Sequence, residues 1–279
     1  MNQRFRATVG AVFLLAAVAR PAFAAPGDLV VAECTEATAD VEAADSAFVG
    51  TVATTFHDKG PQGAAADLPA LVAVLARHKD LHRIERCGGV VHVNSGDPQD
   101  ALFAEADMVG TVTKATASST HIDATRSYVV SAAYLAGFIA ADRNEYERAA
   151  VYLRQGLAIS PYYPPIVSEA ANVFALAGRV SESVAVIDVA LEHQPNQDLT
   201  PGWHGALLRR KGFALGELAR WDEAEAAYNE SLKWAPSNAN ALNELKYIAQ
   251  RKAGGAAAPV QQTVTDITAA TATSDTSPK

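Results

Sequence analysis

The chain has 279 residues, of which 49% are apolar and 19% charged, so a packed core is within reach over most of its length. With 23 basic and 31 acidic residues its net charge is −8. That acid excess argues against nucleic acid, whose affinity comes from neutralised phosphates, and against anionic membrane surfaces.

Residues 1–24, MNQRFRATVGAVFLLAAVARPAFA, set Arg4 and Arg6 before an apolar run from Val9 to Ala19, then Ala22-Phe23-Ala24. This reads as a secretory signal with a small-x-small cleavage site. The run is about half the ~20 residues a spanning helix needs, so no stable membrane span is expected after signal removal. The periplasm is the first expected location and secretion the second. Removing the signal leaves 20 basic against 31 acidic residues. Cys34 and Cys87 remain, and export makes a bridge between them the expectation. Closing a loop of some fifty residues would stabilise by about 3–4 kcal/mol. Two buried free thiols are the alternative.

Residues 25–124 read as a small α+β module of no recognised family. Residues 67–80 suggest a helix with Leu68, Leu71, Val72, Leu75 and Ala76 on one face. A hairpin follows, from Leu81 to Arg86 and from Val90 to Val93 around Gly88-Gly89. Residues 97–115 suggest a second helix, with Asp97 as cap and Pro98 at the first position. Residues 38–56 suggest one more.

This module holds what chemistry the chain offers. G-x-S-x-G, H-E-x-x-H and G-x-x-x-x-G-K-[ST] are all missing from the sequence. His78 and His82 are four apart, with His92 nearby, but a clear third ligand is lacking, so neither a metal nor another cofactor is expected. Cys87 lies near His82 and His92, with Arg83 and Arg86 as sources of positive charge. A thiolate nucleophile there would make the chain an enzyme whose helical part recruits substrate. A Cys34–Cys87 bridge would remove most of that alternative's support.

Residues 125–252 are strongly helical and internally repeated. Steps of 34 and 41 residues connect Pro161, Pro195 and Pro236. The same steps connect Gly137, Ala171 and Gly212, then Ala149, Ser183 and Ala224, then Leu153, Ile187 and Tyr228, then Gly156, Ala190 and Ser231. The seven extra residues fall around NQDLTPGW, where Pro201 and Gly202 read as turn residues. Small residues suit close helix crossings, so the glycine column should face the Ala149 column. The larger column should fill the space between units. Turns are expected at 142–145, Gly178-Arg179 and Ala219-Arg220.

This pattern resembles the tetratricopeptide repeat, a helix–turn–helix unit of 34 residues. The resemblance covers 130–163, 164–197 and 205–238. It is strongest in the third unit, where Leu208, Gly212, Leu215, Ala224, Tyr228 and Pro236 match and Lys211 and Ser231 depart. Residues 239–252 complete the array as a capping helix, with Ala241, Leu242, Leu245, Ile248 and Ala249 as its apolar stripe and Ser237 or Asn238 as its cap. The fold class expected is therefore mainly α: a three-repeat α-solenoid with a C-terminal capping helix, behind the α+β module. Residues 253–279 are too poor in large apolar groups to offset their ordering entropy and read as disordered.

The resemblance implies a protein or peptide partner held along the concave groove, without catalysis. First-helix positions that would face it are Tyr134 and Phe138 in unit one, Asn172 in unit two, and Arg209, Arg210 and Phe213 in unit three. Some family members clamp a peptide carboxylate with Lys, Asn and Arg. Here Tyr134 and Phe138 stand where that clamp has Lys and Asn, so a mixed aromatic and basic groove is expected instead. Self-association through exposed repeat ends is compatible with this.

Overall fold

The computed structural model describes residues 31–34, 39–87, 90–109, 120–121, 127–192 and 201–254. The signal and the tail beyond 254 lie outside the described residues. Within them, no helix is long and apolar enough to cross a membrane.

The array is present as helix pairs: α4 (Ser127–Asp142) with α5 (Tyr146–Ile159), α6 (Pro164–Leu176) with α7 (Val180–Glu192), and α8 (Pro201–Glu217) with α9 (Trp221–Ser231). The capping helix α10 spans Ala239–Lys252, and the Asn238 side chain accepts from Ala241 N at 2.9 Å. Each pair turns through one left-handed residue: Asn144 (φ 59°), Gly178 (φ 73°) and Ala219 (φ 55°), which the 34 and 41 steps also connect. The following amide reaches back five residues, as in Glu145 N to Ala140 O, Arg179 N to Phe174 O and Arg220 N to Leu215 O, at 2.9, 2.7 and 2.9 Å. This closes the orphan carbonyls at each helix end.

Two expectations about packing are corrected. A Cβ at Gly137 would stand 2.5 Å from Leu153, and one at Gly212 would stand 2.7 Å from the Tyr228 ring. The large residues therefore pack on the glycine of their own unit, rather than filling only the space between units. It is Gly156 that admits a neighbouring unit, since a Cβ there would collide with Ile166 of α6. Pro201 and Gly202 do not form a turn. They open α8, where proline's missing N–H costs nothing.

Ahead of the array run α1 (Ala39–Gly63) and α2 (Leu68–Arg77), and both lie along α4. Gly60 (φ 70°) and Pro61 kink α1 near its end. Val49, Val52, Leu68, Leu71, Val74 and Leu75 join the core of units one and two. Val74 is buried in the role expected of Ala76, which is exposed. A buried joint fixes the helices. Asp45 accepts from Arg77 Nε at 3.1 Å and contacts His78 Nε2 at 3.0 Å, which in turn lies 3.4 Å from the Tyr128 hydroxyl.

The sheet stands apart, in the order β1 (Val31–Glu33), β2 (Ile84–Cys87), β3 (Val90–Val93) and β4 (Thr120–His121). β2 and β3 form the expected hairpin, with Glu85 opposite His92. β1 and β4 add to its two edges in parallel, and both are too short to show a period in the sequence. α3 (Pro98–Val109) covers Ile84, Val91 and Val93 with Ala101 and Ala104. Asp97 caps α3 by accepting from Asp100 N at 2.7 Å.

One polar network bolts the sheet to the array. Arg83 donates to Asp100 Oδ1 at 3.1 Å and to Ile159 O at 3.0 Å, and its guanidinium lies 4.7 Å from the Tyr162 ring centre. The Ser160 hydroxyl donates to Asp100 and accepts from Gly96 N at 2.6 Å.

Candidate functional site

Along the array the first helices α4, α6 and α8 touch in succession, while the second helices α5, α7 and α9 spread apart. The first helices therefore line the shorter, inner arc. Helical spacing places Tyr134, Phe138, Asn172, Arg209, Arg210 and Phe213 on them, and all six side chains are half-buried.

At unit one the inner face is already in use. Phe56 of α1 meets Phe138 edge to face at 5.1 Å between ring centres, and meets Tyr134 at 6.4 Å. Tyr134 and Phe138 lie 6.0 Å apart. These three rings form a cluster within the chain, so two of the expected groove anchors serve the packing of α1.

Behind Tyr134 lies a residue that the repeat columns do not single out. Glu169 of α6 is 5% exposed. Burial raises its pKa to about 7, although the Arg210 charge pulls the other way. Burial likewise raises Tyr134, Glu169 and Tyr163 add to the rise, and Arg210 opposes it. Tyr134, Glu169 and Arg210 thus form one electrostatic group drawn from all three units. The available signal was an acid in the column of Leu135 and Arg210, a column otherwise filled by long side chains.

At the other end, Arg209 acts on the Tyr228 hydroxyl, opposing the rise that burial causes there. Its guanidinium passes close to the backbone of α8, since a Cβ at Gly205 would stand 3.4 Å from Nη1. Phe213 packs partly into the core of unit three. Asn172 occupies the same column one unit earlier.

The N-terminal candidates for chemistry divide between the hairpin and the joint with Asp45. Cys34 and Cys87 are joined by a disulfide, so Cys87 offers no thiol in this state. The Glu85 carboxylate lies within 4.8 Å of both sulfurs, but bonded sulfurs are not thiolate ligands. Glu85 instead accepts from His82 N at 3.2 Å and from the Asn94 side chain at 3.3 Å. His82 is exposed, whereas His78 is buried in the joint with Asp45.

No protein-family model and no curated protein matches this chain. Among solved structures it is similar to a thermophilic TPR protein of Thermus thermophilus, at 15% identity, covering 75% of this chain and 98% of that one, with a TM-score of 0.36. It is also similar to the first TPR of Spaghetti (RPAP3) bound to an HSP90 peptide, at 21% identity, covering 44% and 93%, with a TM-score of 0.40. The Sgt2 TPR domain of Aspergillus fumigatus is similar at 19% identity, covering 49% and 89%, with a TM-score of 0.39. The 34- and 41-residue steps, the paired helices and the shared left-handed turn give residues 127–192 and 201–252 the geometry of a tetratricopeptide-type array.

Proposed function

We propose that this chain is an exported interaction module that holds an extended peptide or protein segment along the inner arc of units two and three. The observation that carries this reading is the run of half-buried Asn172, Arg209, Arg210 and Phe213 on that arc, beyond the stretch that Phe56 occupies. An amide suits a peptide backbone, and guanidinium forks suit carboxylates. Export is supported by the signal-like leader and by the Cys34–Cys87 disulfide, a bond favoured in oxidising compartments.

Display of random peptides against residues 25–279, followed by affinity measurement on the enriched sequences, tests the site. Asn172→Ala, Arg209→Ala and Phe213→Ala should each weaken binding about tenfold, a loss of ~1.4 kcal/mol. Equal affinity in all three variants would move binding off this face.

A further inference from the structure

The C-terminal end of the array carries a recess that shares only Phe213 with the groove. α8, α9 and α10 border a partly open recess of about 40 Å³ there. That is room for a group about the size of a water molecule. Phe213, Trp221, Tyr228 and Tyr247 wall it, together with the carboxylates of Glu217 and Glu244.

Three features of this recess call for a cation. Tyr228 is 1% exposed, and its hydroxyl has no hydrogen-bond partner among the described residues. A buried hydroxyl is stable only when it is paired. Glu244 is 8% exposed, and burial and then Glu217 raise its pKa. Neither acid is ion-paired among the described residues, in contrast to Asp222 and Glu225 on the next helix, which Lys252 takes at 2.6 and 2.7 Å. Trp221 and Tyr247 meet edge to face at 6.3 Å, and Trp221 already accepts the Arg251 guanidinium 5.4 Å from its ring centre. Aromatic faces and carboxylates together are the combination that binds cations.

We propose that this recess receives an alkylammonium group, and that its occupant is a lysine side chain of the peptide held along the inner arc. The proposal rests on the peptide-binding reading for that occupant. An ammonium is compact and donates three hydrogen bonds, which Tyr228, Glu217 and Glu244 can accept. Its methylene stem would lie against the rings of Phe213 and Tyr247.

The test uses the protein, residues 25–279, and follows the Trp221 indole N–H by NMR. The probes are acetyl-Gly-Lys-Gly-amide, its norleucine counterpart and n-butylammonium. The lysine peptide and n-butylammonium should shift the indole saturably, and the norleucine peptide should bind at least tenfold more weakly. Glu217→Gln, at an exposed position, should weaken both cations about tenfold, and Tyr228→Phe should weaken them in the same direction. Equal binding of lysine and norleucine, or indifference to Glu217→Gln, would overturn the cation site. Binding of n-butylammonium without the lysine peptide would overturn the lysine occupant. Because n-butylammonium does not need the groove, its result stands even if the longer peptides fail to bind there.

Discussion

The Tyr228 ring lies directly over Gly212, so that a Cβ on the glycine would stand 2.7 Å from two ring carbons. The same columns hold Ala171 with Ile187 in unit two, where a smaller partner leaves room for a methyl group. Gly212→Ala should destabilise by about 1–3 kcal/mol through overpacking. Gly212→Ala combined with Tyr228→Ile restores the pairing of unit two, and its loss should be smaller than the sum of the single losses by more than about 0.5 kcal/mol. Denaturant unfolding of the four proteins in this cycle gives the answer. Strict additivity would contradict the packing described.

Ala219 holds the left-handed turn position that Gly178 fills in unit two and Asn144 in unit one. Of the three it is the residue least suited to φ 55°, because its Cβ crowds the following carbonyl. Ala219→Gly should therefore raise stability by about 0.5–1 kcal/mol, whereas Gly178→Ala should lower it by a similar amount. Melting temperatures of both variants check the sign, and a fall for Ala219→Gly would refute the turn geometry.

Where the sheet meets the array, the half-buried Arg83 meets the buried Asp100 at 3.1 Å. Removing either partner strands the other in a site away from water. Arg83→Met and Asp100→Ala should each cost about 3–5 kcal/mol, while the pair removed together should cost clearly less than the sum. Urea titration followed by circular dichroism reads both. Single-variant losses under about 1 kcal/mol would mean that the network is solvated.

Glu169 makes stability depend on pH. Its folded pKa, about 7, lies above the ordinary 4.5, so the native state holds the proton more tightly than the unfolded chain does. The stability this confers is complete below pH 4.5 and is lost as pH rises toward 7. Glu169→Gln removes the titration. Relative to wild type, the variant should gain about 2 kcal/mol more stability at about pH 8 than at about pH 5.5. Chemical unfolding at the two pH values decides it, and an equal difference at both would exclude a raised Glu169.

Local order was legible without the fold. The 34 and 41 steps located the helix pairs and their turns, because a repeat must reuse the same backbone geometry at each unit. Ser237 or Asn238 marked the start of α10, and Asp97 with Pro98 the start of α3, because capping is settled within four residues of chain. The hairpin was legible for the same reason.

What covers each face is a matter of tertiary packing. A helical period shows that Tyr134 and Phe138 share a side, but it cannot show that Phe56, some eighty residues earlier, lies against it. Charge misled in the same way. The period of α10 sets Glu244 off its apolar stripe, and no repeat column marks Glu169, yet both are buried. A carboxylate states its preference for water one residue at a time, whereas its actual surroundings are set by helices that meet only after the chain has folded. The units of this protein are written in local order along the chain. The packing of α1 on α4, and of α10 on α9, settles which parts of their surface other helices of the chain cover.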